Sequence, residues 1–136
     1  MKKQSIYPDG WQQTRGTYSP AIKIDLGNAE LIFVSGQQVT KNDKNEAITD
    51  DIAEQTEDIF RQLQEILQAA GASLSDVVKA QIFVTNMNDF KTISGIRDKY
   101  FAESKPASTL VEVNRMTRKG AKVEIEVMAI KVKEVK

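Results

Sequence analysis

The stretch Val123–Val132 carries two chemistries on one strand. In extended backbone Val123, Ile125, Val127 and Ala129 point one way, and Glu124, Glu126, Met128 and Ile130 point the other. The first set demands an apolar cover. The second mixes carboxylates with large apolar groups. A free surface seldom keeps the apolar ones, and a core seldom admits the carboxylates. An oligomer interface with a polar cleft at its edge accommodates both. The rest of the chain must therefore supply one covering layer and leave the second face for another use.

Two amphipathic helices can supply the layer. Thr49 or Asp50 is placed to cap a helix whose first turn carries Asp51 and Glu54, favourable at the positive end of the dipole. Ile52, Ile59, Phe60, Leu63, Ile66, Leu67 and Ala70 recur at helical spacing, and Gly71 ends the run as a left-handed C-terminal residue would. Asp89 can cap a shorter helix holding Phe90, Ile93, Ile96, Tyr100 and Phe101, with Pro106 beyond its end. Strands are expected around Ile22–Leu26, Leu31–Val34, Val77–Val84, Ser108–Val113 and Val123–Val132, with Gly27-Asn28 turning the first pair. The order β-β-α-β-α-β-β predicts an α+β domain with both helices on one sheet face. Residues 1–15 are polar and mixed, with Tyr7-Pro8 and Asp9-Gly10 as turn signals, and read as an N-terminal extension of a single domain over 1–136.

Composition excludes several classes. Lys+Arg and Asp+Glu balance at 19 each, so no electrostatic footprint for nucleic acid or an anionic membrane is present, and neither is an expected partner. The cluster Arg115, Arg118, Lys119 and Lys122 reads as a solvated turn. The chain has no cysteine and no histidine, which removes the thiolate nucleophile, the commonest neutral-pH base and the commonest metal ligand. A Ser-His-Asp triad cannot be built from it. Gly36-Gln37-Gln38 is not continued as a phosphate loop, and Asp50, Asp51 and Glu54 lack calcium-loop spacing. No metal and no cofactor is expected. Polar residues interrupt any apolar run after Lys2 and Lys3, so neither a signal peptide nor a membrane span is expected, which suits a cytoplasmic protein.

Several segments occur in a telling order: Gly16-Thr17-Tyr18-Ser19-Pro20-Ala21, Phe33-Val34-Ser35-Gly36-Gln37, Ala69-Ala70-Gly71, Asp76-Val77-Val78-Lys79, Met87-Asn88-Asp89-Phe90, Lys105-Pro106-Ala107-Ser108 and Val123-Glu124-Ile125-Glu126-Val127. Together, over roughly Gly16 to Val132, they resemble the YjgF/RidA family, whose best-known members hydrolyse reactive enamines and imines. The resemblance implies a chorismate-mutase-like fold and a homotrimer whose sheets form a central barrel. Three clefts between subunits would each bind a small metabolite. It implies that Glu124 positions or activates a water or shuttles a proton, and that Tyr18, Ser35 and Gly36 line the cleft. Glu126, on the same face, is a weaker candidate.

Ser108 departs from the pattern. The family resemblance places an arginine there that grips the substrate carboxylate. A guanidinium donates two parallel charge-assisted hydrogen bonds, and a serine hydroxyl offers one neutral donor. Arg97 or Arg15 is a candidate replacement from a neighbouring subunit. The leading expectation is a protein that binds a small carbonyl, imine or enamine metabolite between subunits and hydrolyses or tautomerises it, with a substrate that need not be an acid. A non-catalytic binding or regulatory module is the alternative that Ser108 favours. RNA-directed translation inhibition stands third, against the charge balance and the absent histidine.

Overall fold

The computed structural model describes residues 2–12 and 16–134. Its strands are β1 (Lys2–Ile6), β2 (Ala21–Asp25), β3 (Ala29–Gln37), β4 (Val77–Val84), β5 (Ala107–Glu112) and β6 (Val123–Val132), and its helices are α1 (Ile52–Ala69) and α2 (Phe90–Tyr100). The strands form one six-stranded sheet in the order β1-β2-β3-β6-β4-β5. Neighbours are antiparallel except β4 and β5, which are joined through α2 and run parallel. The α+β class and the alternation from β2 onward follow the pattern of apolar spacing. Although β5 and β6 are consecutive, β4 lies between them.

Both helices cover one face. Val123, Ile125 and Ala129 of β6 are fully buried there, beneath Ile59, Phe60, Leu63, Ile66 and Leu67 of α1 and Ile93 of α2. The Phe60 ring stacks on Tyr100 at 4.5 Å and meets Phe101 edge-on at 5.2 Å, which locks the end of α2 to the middle of α1. The Tyr100 hydroxyl donates to Glu57, which also accepts from Lys99. These two bonds hold the Glu57 carboxyl below the usual carboxylate range.

The opposite face is open. Phe33, Met128 and Ile130 share it with Phe83 and Val111, and Phe33, Val111 and Ile130 keep 38%, 40% and 39% of their surface exposed. No described element covers them.

Two expectations need correction. Asp51, not Thr49 or Asp50, caps α1: its backbone is extended and its carboxylate accepts from the Glu54 N–H at 2.9 Å. Thr49 instead donates to the Glu54 carboxylate at 2.7 Å. The N-terminal segment is not merely a polar extension, because Lys2–Ile6 pairs with β2 along its length. An edge strand is held by its backbone ladder and tolerates exposed, charged side chains, so its sequence need not alternate. Lys2 to Ser5 are exposed and only Ile6 is buried. Trp11 packs against the core, and its indole N–H donates to Glu65 at 2.8 Å.

One polar residue on the buried face of α1 has a structural task. Gln55 is fully buried. Its amide nitrogen donates to the carbonyls of Thr49 and Gly120 at 2.8 and 2.9 Å, and its oxygen accepts from the Lys122 N–H at 2.9 Å. The loop that enters β6 is thereby tied to α1. Gln55→Leu strands these backbone groups without partners, each at a cost of about 1–3 kcal/mol. Urea denaturation is expected to show a loss of at least about 3 kcal/mol. A loss below about 1 kcal/mol would mean that water replaces the amide.

Candidate functional site

The site begins with a fault in the β3–β6 ladder. Val34 pairs with Val127 and Gln37 with Ile125, so Ser35 and Gly36 together oppose Glu126 alone. This bulge brings Gln38 round beside Glu124. A Cβ built on Gly36 would lie 2.6 Å from the Glu124 Oε2 and 2.8 Å from its carboxyl carbon. Glycine is required there for space: the Glu124 carboxylate lies directly on the Gly36 backbone.

Gln38 then fixes that carboxylate. Its amide nitrogen donates to Glu124 Oε1 at 2.6 Å and to Thr117 Oγ1 at 3.1 Å, and its oxygen accepts from the Arg118 N–H at 3.2 Å. The exit from β3 is held in turn by α1. Gln62 donates to the Gln38 carbonyl at 2.9 Å, and Asp58 accepts from the Thr40 N–H and hydroxyl at 2.7 and 2.8 Å. The Arg118 side chain folds onto this platform, with Nη1 donating to the Val39 carbonyl at 2.5 Å and Nε to Asn45 Oδ1 at 3.4 Å. Burial pushes its guanidinium below the ordinary arginine value, and Tyr18, Asp58 and Glu124 oppose that shift.

Tyr18 stands in the segment that leads into β2. Its ring lies over Gly16, where an added Cβ would sit 2.9 Å from two ring carbons, and 59% of the residue is exposed. Its segment is anchored by Ser35, whose hydroxyl donates to the Ser19 carbonyl at 2.6 Å and whose N–H donates to the Pro20 carbonyl at 2.9 Å. Glu124, Gly36 and Ser35 thus lie together at one end of the β3–β6 pair, joined by Gln38, Thr117 and Arg118, and Ser35 anchors the segment that follows Tyr18. Among the described residues no cluster of His, Cys, Asp and Glu could hold a metal ion, and no helix is long and apolar enough to cross a membrane.

The chain matches the family model described as Endoribonuclease L-PSP over residues 12–131. The chain belongs to this family, the YjgF/RidA family. A RutC family protein of Pyrococcus abyssi is 40% identical over 131 residues, covering 96% of this chain and 99% of the relative. A 2-iminobutanoate/2-iminopropanoate deaminase of Dermatophagoides farinae is 35% identical over 118 residues, covering 87% and 88%. The crystal structure of a putative endoribonuclease from Thermotoga maritima superposes with a TM-score of 0.81 at 36% identity, covering 99% of this chain and 100% of that one.

Other residues singled out from the YjgF/RidA resemblance lie apart. Ser108 is the ladder partner of Ala80, on the helix-facing side of edge strand β5, whereas Glu124 faces the open side. Within one chain the two do not converge. Arg97, on α2, is paired with Asp98 at 3.1 Å. Glu126 is exposed opposite Gln81, and Arg15 lies outside the described residues. The basic cluster is not uniformly solvated either. Arg115 and Lys119 are exposed, but Arg118 is half-buried and Lys122 donates to the Asp50 carbonyl at 2.6 Å. Gln38, Thr117 and Arg118 carried no signal in the sequence beyond that cluster.

Gly36→Ala tests the geometry. The new methyl group collides with a flexible side chain, so the Glu124 carboxylate moves and its bond to Gln38 breaks. The expected result is a changed carboxyl 13C shift for Glu124 in NMR spectra with folding stability altered by less than about 1 kcal/mol. An unchanged shift would show that the bulge, not the carboxylate, gives way.

Proposed function

We propose that this protein hydrolyses a small imine or enamine metabolite in clefts between the subunits of a homotrimer, with Glu124 as the proton-handling group. The observation that carries the reading is the Glu124 carboxylate, pressed onto the Gly36 backbone and held at 2.6 Å by Gln38, at the edge of an open apolar sheet face. A carboxylate with one oxygen engaged and fixed in orientation is suited to work on a water molecule. The open face supports the trimer, since contiguous exposed apolar surface of this kind marks association sites. The imine deaminase among the relatives supports the substrate class.

The chemistry balances with one carboxylate. Glu124 removes a proton from water as the oxygen attacks the imine carbon and the C=N π pair moves to nitrogen, and it passes that proton to the nitrogen to give the carbinolamine. Glu124 then takes the carbinolamine hydroxyl proton and delivers it to the nitrogen as the C=O bond forms and the C–N bond breaks, so the nitrogen leaves as ammonia and the carboxylate is regenerated. The carbonyl product and ammonia account for every atom of imine and water. An enamine enters by protonation at carbon. Tyr18 and the backbone beside Ser35 and Gly36 hold the ligand.

The first test is hydrolysis of 2-iminopropionate, generated in situ, by wild type, Glu124→Gln and Ser108→Arg. Glu124→Gln is expected to lower kcat by about 10²–10⁴-fold, the range for a positioned acid–base group. Unchanged turnover would remove Glu124 from the mechanism. Saturable binding without turnover in every form would assign the chain to the non-catalytic class that Ser108 favours. A second test addresses assembly. Met128→Lys puts a charge in the middle of the open face and is expected to shift the sedimentation mass from three chains to one. A wild-type monomer would overturn the inter-subunit cleft.

A further inference from the structure

We propose that Arg118 is the anion anchor of the Glu124 cleft, holding the carboxylate of a small 2-oxo or 2-imino acid in place of the arginine that Ser108 lacks. This rests on the functional reading above and names its substrate class.

Placement comes first. A single amide, that of Gln38, donates to the Glu124 carboxylate at 2.6 Å and accepts from the Arg118 N–H at 3.2 Å. The main chain of Arg118 is therefore tied to the same amide that holds the base, and its side chain bonds to Val39, the residue after Gln38. The guanidinium is folded inward over the β3 exit, where Nη1 reaches the Val39 carbonyl at 2.5 Å. Val39 is itself fully buried, so this anchor point is rigid.

Incomplete pairing comes second. Arg61 and Arg97 each pair with an aspartate, at 3.5 and 3.1 Å. Arg118 forms no ion pair among the described residues, although it is less exposed than a surface arginine and Asp58 and Glu124 both lie within electrostatic reach. Its recorded hydrogen bonds use Nη1 and Nε and go to neutral oxygens. The remaining guanidinium donors keep their capacity for a carboxylate. A partly desolvated cation with neutral partners gains most from an anionic ligand, since charge-assisted bonds are the stronger ones.

Charge arithmetic supports an acid over a neutral ketone. An acid bound beside Glu124 alone would meet like charge. With Arg118 nearby, the ligand carboxylate and Glu124 share one cation, and in a 2-oxo or 2-imino acid the reacting carbon is the one bonded to that carboxylate.

The test is calorimetric titration of wild type, Arg118→Met and Arg118→Lys with 2-oxobutanoate and with its neutral amide, 2-oxobutanamide, plus steady-state hydrolysis of 2-iminobutanoate. Arg118→Met is expected to weaken the acid by at least about tenfold, the lower end for removing one partner of a charge pair. The same variant should leave the amide within about twofold, which also reports an intact cleft. Arg118→Lys should fall between, because an ammonium keeps the charge but not the fork. In turnover, Arg118→Met should raise KM more than it lowers kcat.

Acid binding that is equal in wild type and Arg118→Met overturns the anchor, as does undetectable binding of the acid by wild type. Parallel loss of acid and amide overturns it too, making Arg118 a loop-positioning residue. The two readings fail separately. If Glu124→Gln is inactive and Arg118→Met keeps the wild-type KM, the anchor falls and hydrolysis by Glu124 stands. If Arg118→Met loses acid binding while Glu124→Gln turns over normally, the anchor stands and the hydrolytic role falls.

Discussion

The structure depends on the two-residue period of β6. Val123, Ile125 and Ala129 are fully buried under the helices, and that burial alone forces Glu124, Glu126 and Met128 onto the opposite face. The register cannot slip. Because β6 is hydrogen-bonded to β3 on one side and β4 on the other, a shift of one residue would drive two glutamates beneath α1 and expose the valines. The hydrophobic effect thus orients a carboxylate that it never touches. The bulge at Ser35–Gly36 makes the remaining adjustment, removing the one side chain that would occupy the carboxylate's place.

Two neutral amides then set the loop between β5 and β6. Gln55 holds its far end from the helix layer, through Gly120 and Lys122, and Gln38 holds its near end from the site, through Thr117 and Arg118. An amide donates and accepts at once, so one side chain can satisfy an N–H and a carbonyl or hydroxyl without introducing charge. Carboxylates in these positions could accept but not donate, and lysines the reverse. The consequence is a tethered loop in which Arg118 has a defined direction, while Arg115 stays exposed.

Much of the fold was legible because it rests on local periodicity. Helix α1 was readable from Ile59 to Ala70, and β6 from its alternation. The strand at Lys2–Ile6 was not, because an edge strand is specified by backbone pairing, and Lys2, Lys3, Gln4 and Ser5 show no buried face. The site divides along the same line. Glu124 and Gly36 stand in segments whose order resembles the family. Gln38 and Arg118 act across 80 positions of sequence, and nothing local distinguishes a buried amide or a folded-in arginine from a solvated one. Gln55 was hidden for a related reason: a polar residue on an apolar helix face looks like an interruption until the carbonyls of Thr49 and Gly120 are beside it.

The position of the cation changes what the oligomer must contribute. A residue at 108 projects from edge strand β5 on the helix-facing side, while Glu124 projects from the other side, so within one chain a charge at 108 does not reach the carboxylate. Arg118 arises in the same chain as Glu124, and its main-chain N–H is tied to the Gln38 amide that holds the Glu124 carboxylate. The proposed anchor and base would then arrive together on one chain. In the proposed trimer the neighbouring subunit is left to provide enclosure: it would cover Phe33, Met128 and Ile130 and exclude water from the rim. Excluding water would strengthen the proposed pairing of Arg118 with an anionic ligand, since the same charges attract more strongly as the local dielectric falls. In that arrangement assembly and affinity would be coupled through solvent exclusion, without any charged group being donated across the interface.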